Sequence, residues 1–116
     1  MSISYEGIGE WCATFGCGKV KEGNVVKVSA NGSADACSAG DSFCGVVRAI
    51  ARDGKACSVQ LGGIATVNYS GESAPIPGYG KLSADAAGGV SVDASKGREY
   101  LILAADSAAK TVTIKL

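Results

Sequence analysis

Glycine interrupts this chain so often that short β-strands are the regular element it favours. The 116 residues include 17 glycines and only 2 prolines. No segment keeps the 3.6-residue apolar period of an amphipathic helix over three turns. Short segments that alternate in polarity lie between the glycines, a pattern typical of a β-barrel or sandwich. We therefore predict an all-β fold: a single β domain (residues 1–116) forming a small barrel or sandwich of about eight short, mostly antiparallel strands.

The clearest of these segments is a hairpin within residues 43–63. Asp53-Gly54 is a favoured two-residue type I′ turn, and it would pair residue 52 with 55, 50 with 57, and 46 with 61. That register points one apolar stripe, interrupted by Arg48, toward the core: Val46, Ile50, Cys57, Val59 and Leu61. Asn31-Gly32 predicts a second hairpin turn. Further strands are predicted at residues 25–29, 34–37, 64–69, 90–92, 99–105 and 111–116, with a loop at residues 70–77.

Charge and hydropathy narrow the classes of partner. Hydrophobic residues make up 47% of the chain and charged residues 19%, so the chain can bury a core. Eleven basic residues balance eleven acidic ones, which argues against a nucleic-acid partner. No apolar run approaches the roughly 20 residues of a membrane helix. The first residues also lack the basic stretch followed by an apolar stretch that marks a secretory signal. We therefore expect cytosolic synthesis and no membrane partner.

The string GDSFCG, residues 40–45, resembles a serine hydrolase motif and makes Ser42 a candidate nucleophile. A serine nucleophile needs a base within hydrogen-bond reach, normally histidine, and this chain has none. The strained nucleophile turn of such enzymes also leads into a helix, whereas Phe43 to Val47 reads as a strand. We therefore interpret Gly40-Asp41-Ser42 as a turn whose Asp41 or Ser42 side chain bonds the local backbone, and we predict no enzyme activity and no small-molecule substrate.

Five cysteines, an odd number without a secretory signal, indicate free thiols rather than a disulfide framework. Cys17 is the candidate catalytic thiol, but it lacks a histidine to form the usual ion pair. The spacings are also far from those of structural zinc sites. We predict no metal and no cofactor, and we expect most of these thiols to be small buried hydrophobes.

The first part of the chain is the least regular. Trp11 and Phe15 lie in a glycine-broken stretch, and residues 1–18 are a candidate irregular N-terminal arm. Large aromatic side chains are enriched at interface hot spots. Trp11 and Phe15 are therefore the candidate interface residues, with a role as a plug of the barrel as the alternative.

Residues 20–95 resemble the small capsid decoration (cement) proteins of tailed bacteriophages and prophages. The matching elements are a Gly-x-Val-Val-Lys-Val strand at residues 23–28, a Gly-Val-Val strand at residues 45–47, and a Val-x-Leu-Gly-Gly strand at residues 59–63. A Pro-x-x-Gly-x-x-Leu segment of that family matches residues 75–82 loosely. The five cysteines and the aromatic N-terminus are not required by the family.

The resemblance implies a non-enzymatic virion protein, made in the bacterial host cytoplasm, that binds the outer surface of the capsid shell and stabilises it. Its partner would be the lattice of the major capsid protein, and relatives are commonly homotrimers. Two alternatives remain open at this point. One is a small β-barrel binding module, glycan- or tail-associated. The other is a small hydrolase that uses Ser42 or Cys17.

Overall fold

The computed structural model describes residues 11–116, and every regular element there is a β-strand. This confirms the predicted all-β class, with ten strands rather than about eight. They are β1 (Trp11–Cys17), β2 (Val25–Ala30), β3 (Ser33–Ala36), β4 (Gly45–Ile50), β5 (Ala56–Gly62), β6 (Ile64–Asn68), β7 (Gly78–Ala84), β8 (Val90–Val92), β9 (Arg98–Asp106) and β10 (Thr111–Lys115). Residues 11–116 contain no helix long and apolar enough to cross a membrane.

The first five strands close into a barrel in the order β1-β3-β2-β4-β5. Strand β1 completes the ring: it pairs antiparallel with β5 along most of its length and parallel with β3 through Gly16 and Cys17. Residues 11–17 are thus a strand, where the sequence suggested part of an irregular arm. The earlier part of that candidate arm, residues 1–10, lies outside the described residues.

The β4–β5 hairpin follows the predicted register near its turn and departs from it farther away. Ile50 pairs with Cys57, as predicted, but a bulge at Arg48 then shifts the ladder, and Val47 pairs with Val59. The bulge turns Val47 into the barrel interior, and Val46 is buried as well. The prediction that Val46 faces a core is therefore confirmed, but its predicted pairing with Leu61 was wrong: Val46 pairs with Gln60, because alternation counted through the sequence does not anticipate an extra residue.

The turn of this hairpin also differs from the prediction. A type I′ turn needs positive φ at both central residues, and only Gly54, at 72°, has it. The Gly54 N–H donates to the Ala51 carbonyl at 2.9 Å, and the Ala51 N–H donates to the Ala56 carbonyl. Residues 52–55 consequently form a longer loop, and the expected pair between residues 52 and 55 is absent. The Asp53 carboxylate stabilises the loop by accepting the Lys55 N–H at 2.9 Å.

The last five strands form a second sheet in the order β6-β10-β9-β7-β8. The two outer strands of this sheet, β6 and β8, meet at one end only. There Tyr69, the residue after β6, forms a single parallel bridge with Val90 of β8. Strand β8 has three residues and pairs only with Leu82 to Ala84 of β7. The predicted loop at residues 70–77 is confirmed, and it leads into the end of β7 that pairs with β9 but not with β8.

Each sheet has its own core. The barrel interior is small, with five buried residues: Val26, Ala34, Val47, Cys57 and Val59. The larger core lies beneath the second sheet and also receives Val25, Phe43 and Val46 from the barrel half of the chain. Phe43 stacks on Tyr100 with 4.8 Å between ring centroids, and the Tyr100 hydroxyl donates to the Phe43 carbonyl at 2.8 Å. Phe43 therefore joins the two halves.

Gln60 stabilises the passage from the first sheet to the second. Its side chain is fully buried, and its Nε2 donates to the carbonyls of Gly62 and Ile64 at 3.0 Å each. These bonds hold the bend at Gly63, where φ is 90°. The Gln60 Oε1 atom has no hydrogen-bond partner within residues 11–116.

Candidate interaction surface

Ser42 lies exposed in the segment between β3 and β4, just after a turn. The Asp41 N–H donates to the Ser38 carbonyl, and the Asp41 carboxylate accepts the Ser38 N–H at 2.9 Å. Lys27 Nζ lies 2.6 Å from the same carboxylate and, as the main cause, holds the pKa of Asp41 below its usual value. Ser42 itself makes no hydrogen bond within the part of the chain that the structure describes. Asp41 is therefore the residue that organises GDSFCG, as a turn.

The cysteines are free thiols, with no disulfide within residues 11–116. Only Cys57 is fully buried; Cys12 is exposed, and the other three are partly buried. Burial raises the pKa of Cys37 to about 11 and is the main reason that the pKa of Cys57 rises to about 12. Both thiols therefore stay protonated near neutral pH. The expectation that most cysteines are buried is correct for Cys57 alone.

Cys17 points toward the barrel interior and packs with Phe15 against its buried core. No His/Cys/Asp/Glu group of three or more within residues 11–116 is arranged to hold a metal ion. The structure thus places Cys17 in a packing role and does not bring it together with Ser42's segment.

Trp11 and Phe15, the candidate interface residues, face opposite ways. A bulge between Trp11 and Cys12 interrupts the alternation of β1. As a result Phe15 packs against the barrel interior, whereas 67% of Trp11 is exposed. Trp11 lies across Gly62, at which an added Cβ would sit 3.2 Å from the indole Cε3 atom. Trp11 is therefore the one of the two that is available to a partner.

The two most exposed large apolar side chains within residues 11–116 lie elsewhere, around a groove beside β7. This apolar groove has a volume of about 480 Å³ and runs between the 70–77 loop and the β7–β8 pair. Ile76 is 79% exposed and Tyr79 is 73% exposed at its rim. Its floor is formed by Gly80, Leu82 and Ile102. A Cβ added at Gly80 would lie 2.9 Å from Ile102 Cδ1, so the glycine leaves room above that side chain.

A row of outward-facing residues leads across the second sheet to this groove. Cross-strand pairs align four of them: Ile64, Lys115, Leu101 and Tyr79. Directly paired residues share a face of the sheet, and the neighbouring row, Ala65, Ile114 and Ile102, is buried. We call the first set the outer row. Tyr79 belongs to both the outer row and the apolar groove, so the two meet at this residue.

Sequence reasoning missed this surface. It predicted the loop that contains the two prolines, gave Ile76 no role, and expected for Tyr79 only the core or interface role common to all the aromatic residues. The one available signal was Ile76 between Pro75 and Pro77, an apolar residue in a segment with no alternation to bury it.

No protein-family model matches the chain, and no curated protein sequence matches it. The surface is therefore interpreted from its own chemistry. Its groove is lined mainly by aliphatic side chains, and Lys81 is the one charged residue among those that line it. Such a surface suits an apolar polypeptide rather than a charged small molecule.

Proposed function

We propose that this protein is a structural component of a phage or prophage virion that binds the outer surface of the capsid shell and reinforces it. The observation that carries the proposal is the apolar groove beside β7, with Ile76 and Tyr79 exposed at its rim. Contiguous exposed apolar patches on a small soluble domain mark sites of protein interaction. The likeness of residues 20–95 to capsid decoration proteins names the partner, the major capsid protein.

The rest of the domain supports a structural, non-catalytic role. Its two sheets share the Phe43–Tyr100 contact, which gives a rigid platform behind the binding surface. Neither Ser42 nor Cys17 lines the groove, and Cys17 packs against the barrel core. Function would come from multiple copies: homotrimers that each contact several shell subunits convert modest affinity per site into strong retention.

Co-sedimentation with expanded shells of the source phage tests the proposal, with native mass measured in parallel by light scattering. We expect the wild-type protein to sediment with the shells and to have the mass of a trimer. The double substitution Ile76→Ser, Tyr79→Ser should reduce the bound fraction by at least about tenfold, since two exposed apolar anchors are removed.

Val28→Ser is the matched control, because Val28 is also an exposed apolar residue but lies on β2 of the barrel. This control should bind like the wild type. A monomer that does not sediment with these shells would contradict the proposal, and so would equal loss of binding in the two variants.

The exposed ring of Tyr79 beside the groove favours a second candidate, a glycan-binding module, because aromatic faces stack on sugar rings. Titration calorimetry with oligosaccharides tests it. Saturable heat that Tyr79→Ser abolishes would support this candidate, and its absence across bacterial surface glycans would contradict it.

A further inference from the structure

We propose that Cys17 and Cys57 form a redox-active thiol pair in the barrel, which a disulfide of low molecular weight converts into a covalent cross-link between β1 and β5. Neither cysteine lines the apolar groove, so this modification site is separate from the binding surface. The proposal follows from the geometry of the barrel alone and does not depend on the proposed function.

The register of β1 against β5 brings the two side chains to the same face. Phe15 pairs directly with Cys57, and the Cys17 N–H donates to the Lys55 carbonyl at 3.1 Å. Residues two apart on a strand share a face, so Cys17 lies on the same face as Phe15 and Cys57. Cys57 belongs to the barrel core, and Cys17 packs against that core. The two cysteines are therefore diagonal neighbours across the β1–β5 pair.

The two thiols are also in direct contact. Burial is the main cause that raises the pKa of Cys57 to about 12, and a hydrogen bond with the Cys17 side chain is the next. Diagonal neighbours lie about 7–8 Å apart between Cα atoms, slightly more than the roughly 6.8 Å that a disulfide spans at most. Cys17 is the last residue of β1 and precedes a bend at Gly18, so a shift of about 1 Å there disturbs little pairing.

The other three cysteines are less well placed for a cross-link. Cys37 follows β3 and Cys44 precedes β4, and β2 lies between these strands and pairs with both. Two strand spacings of about 4.8 Å separate them by roughly 10 Å, beyond the reach of a disulfide. Cys12 pairs with Gln60, three residues from Cys57, which is again roughly 10 Å along the strand. The geometry thus selects one pair.

The exchange proceeds in two balanced steps, written here for oxidised glutathione. Cys17 is partly exposed whereas Cys57 is buried, so the Cys17 thiolate attacks one glutathione sulfur. The other half leaves as a thiolate and takes up the proton that Cys17 lost. The Cys57 sulfur then attacks Cys17 Sγ, and its proton goes to the second departing glutathione. Two protein thiols are oxidised to one disulfide, and one glutathione disulfide is reduced to two thiols.

The cross-link would fasten the strand that closes the barrel. Strand β1 contacts β3 only through Gly16 and Cys17, so the closure rests on a short parallel pairing. A bond from Cys17 to Cys57 encloses residues 17–57 in one loop and lowers the entropy of the unfolded chain. Oxidising surroundings therefore stabilise the closed barrel, and an excess of reduced thiol reverses the bond.

Incubation of the folded full chain with oxidised glutathione tests the proposal, followed by an acid quench, alkylation and tryptic peptide mapping. Cys12→Ser is the background, because Cys12 is exposed and shares a tryptic peptide with Cys17. Cleavage after Lys19 and Lys55 places Cys17 and Cys57 in separate peptides. We expect these two peptides to be linked, and the melting temperature to rise by about 10 °C.

Three variants in this background identify the role of each thiol. Cys57→Ala should stop after the first step and keep glutathione on Cys17. Cys17→Ala should leave Cys57 unmodified, because Cys57 is buried. Cys37→Ala is the matched control and should form the cross-link as the background does. If Cys57→Ala does not fold, the peptide map of the background protein decides by itself.

Oxidation in urea, where every pair of thiols is free to meet, supplies the reference mixture of linkages. A folded protein that gives this same mixture would overturn the proposal, and so would one that keeps all its thiols. A link between Cys37 and Cys44 in place of the expected one, or glutathione that stays on Cys17 while Cys57 is present, would also contradict it. None of these outcomes involves capsid shells, so they leave the proposed function to its own test.

Discussion

The two sheets of this domain have the same number of strands but different edges. The first closes into a barrel, and its strands leave two large apolar side chains exposed, Trp11 and Val28. The second stays open along part of β7, and this sheet with its loop exposes four: Ile64, Ile76, Tyr79 and Val92. Both counts refer to residues 11–116. Closing a sheet satisfies its backbone groups internally, whereas an open edge keeps them for a partner.

The lengths of the strands produce this difference. In the barrel, β1 is long enough to pair with both β5 and β3. In the second sheet, β8 ends at Val92, after which Asp93 turns the chain away by accepting the N–H groups of Ser95 and Lys96. The edge beyond Lys81 is left uncovered as a result. We interpret the barrel as the scaffold and the open sheet as the binding surface.

The largest expected effect tests whether the two sheets fold as one unit. Phe43→Ala should lower the free energy of unfolding by about 3–5 kcal/mol, because it empties the contact that joins the two halves. Urea denaturation followed by tryptophan fluorescence and circular dichroism should show one earlier transition for both probes. Phe43→Leu, which keeps most of the apolar volume, should lower the free energy of unfolding by less. Two separate transitions would mean that the sheets unfold independently.

The next effect compares glycines in the two sheets. At Gly45 a Cβ would lie 2.3 Å from the Gln60 carbonyl oxygen, a rigid backbone atom. Gly45→Ala should therefore cost about 1–3 kcal/mol of stability, as overpacking does. At Gly80 the nearest atom is the flexible end of Ile102, so Gly80→Ala should cost less.

Gly16→Ala is the control for the barrel, since its Cβ would meet nothing closer than 3.6 Å. It should change stability by no more than about 0.5 kcal/mol. All three midpoints can be measured by urea denaturation. A Gly80→Ala variant less stable than Gly45→Ala would contradict the expected difference between these two contacts.

A smaller effect concerns the ion pair between Lys27 on β2 and Asp41 in the segment between β3 and β4. Because the pKa of Asp41 is lowered in the folded state, chiefly by Lys27, its ionised form stabilises the fold. That contribution is present above the unfolded pKa of about 3.9 and is lost as the pH falls through the lower folded value. Asp41→Asn should therefore lower the urea midpoint at pH 7, and its difference from wild type should vanish on acidification.

Ser42→Ala is the matched control for this experiment, and its urea midpoint should follow the wild type at every pH. An equal loss in both variants, or a difference for Asp41→Asn that persists in acid, would contradict the role given to Asp41.

The smallest expected effect on stability belongs to the open sheet. Tyr79→Ser and Ile76→Ser should each change the free energy of unfolding by no more than about 0.5 kcal/mol, because both side chains are mostly exposed. Thermal denaturation checks this. A loss above about 1.5 kcal/mol would assign these side chains to the core and weaken the case for a binding surface.

Local pattern predicted much of the fold, and the misses have a physical cause. The strand predicted at residues 111–116 is present as β10, and Val112 and Ile114, which alternate with polar residues there, are buried. The hairpin turn at Asn31-Gly32 was also correct, because turn chemistry acts between neighbours. In the β4–β5 hairpin the pairing of Ile50 with Cys57 was correct, although the turn type was not. Strand β1 was missed because glycines weaken its pattern and its partners lie far away in the chain. The bulges at Trp11 and Arg48 were not predicted for a similar reason, because they depend on how each strand pairs with its neighbour.

The sequence by itself determined the all-β class, most strand positions, the free thiols and the turn at Gly40-Asp41. These follow from residue types and their spacing along a few positions. Only the tertiary structure decided that the barrel closes, that β7 keeps an open edge and that Tyr79 joins the outer row to the groove. Each of these depends on which distant strands pair and where the pairing stops, because exposure belongs to the assembled surface and not to any one residue.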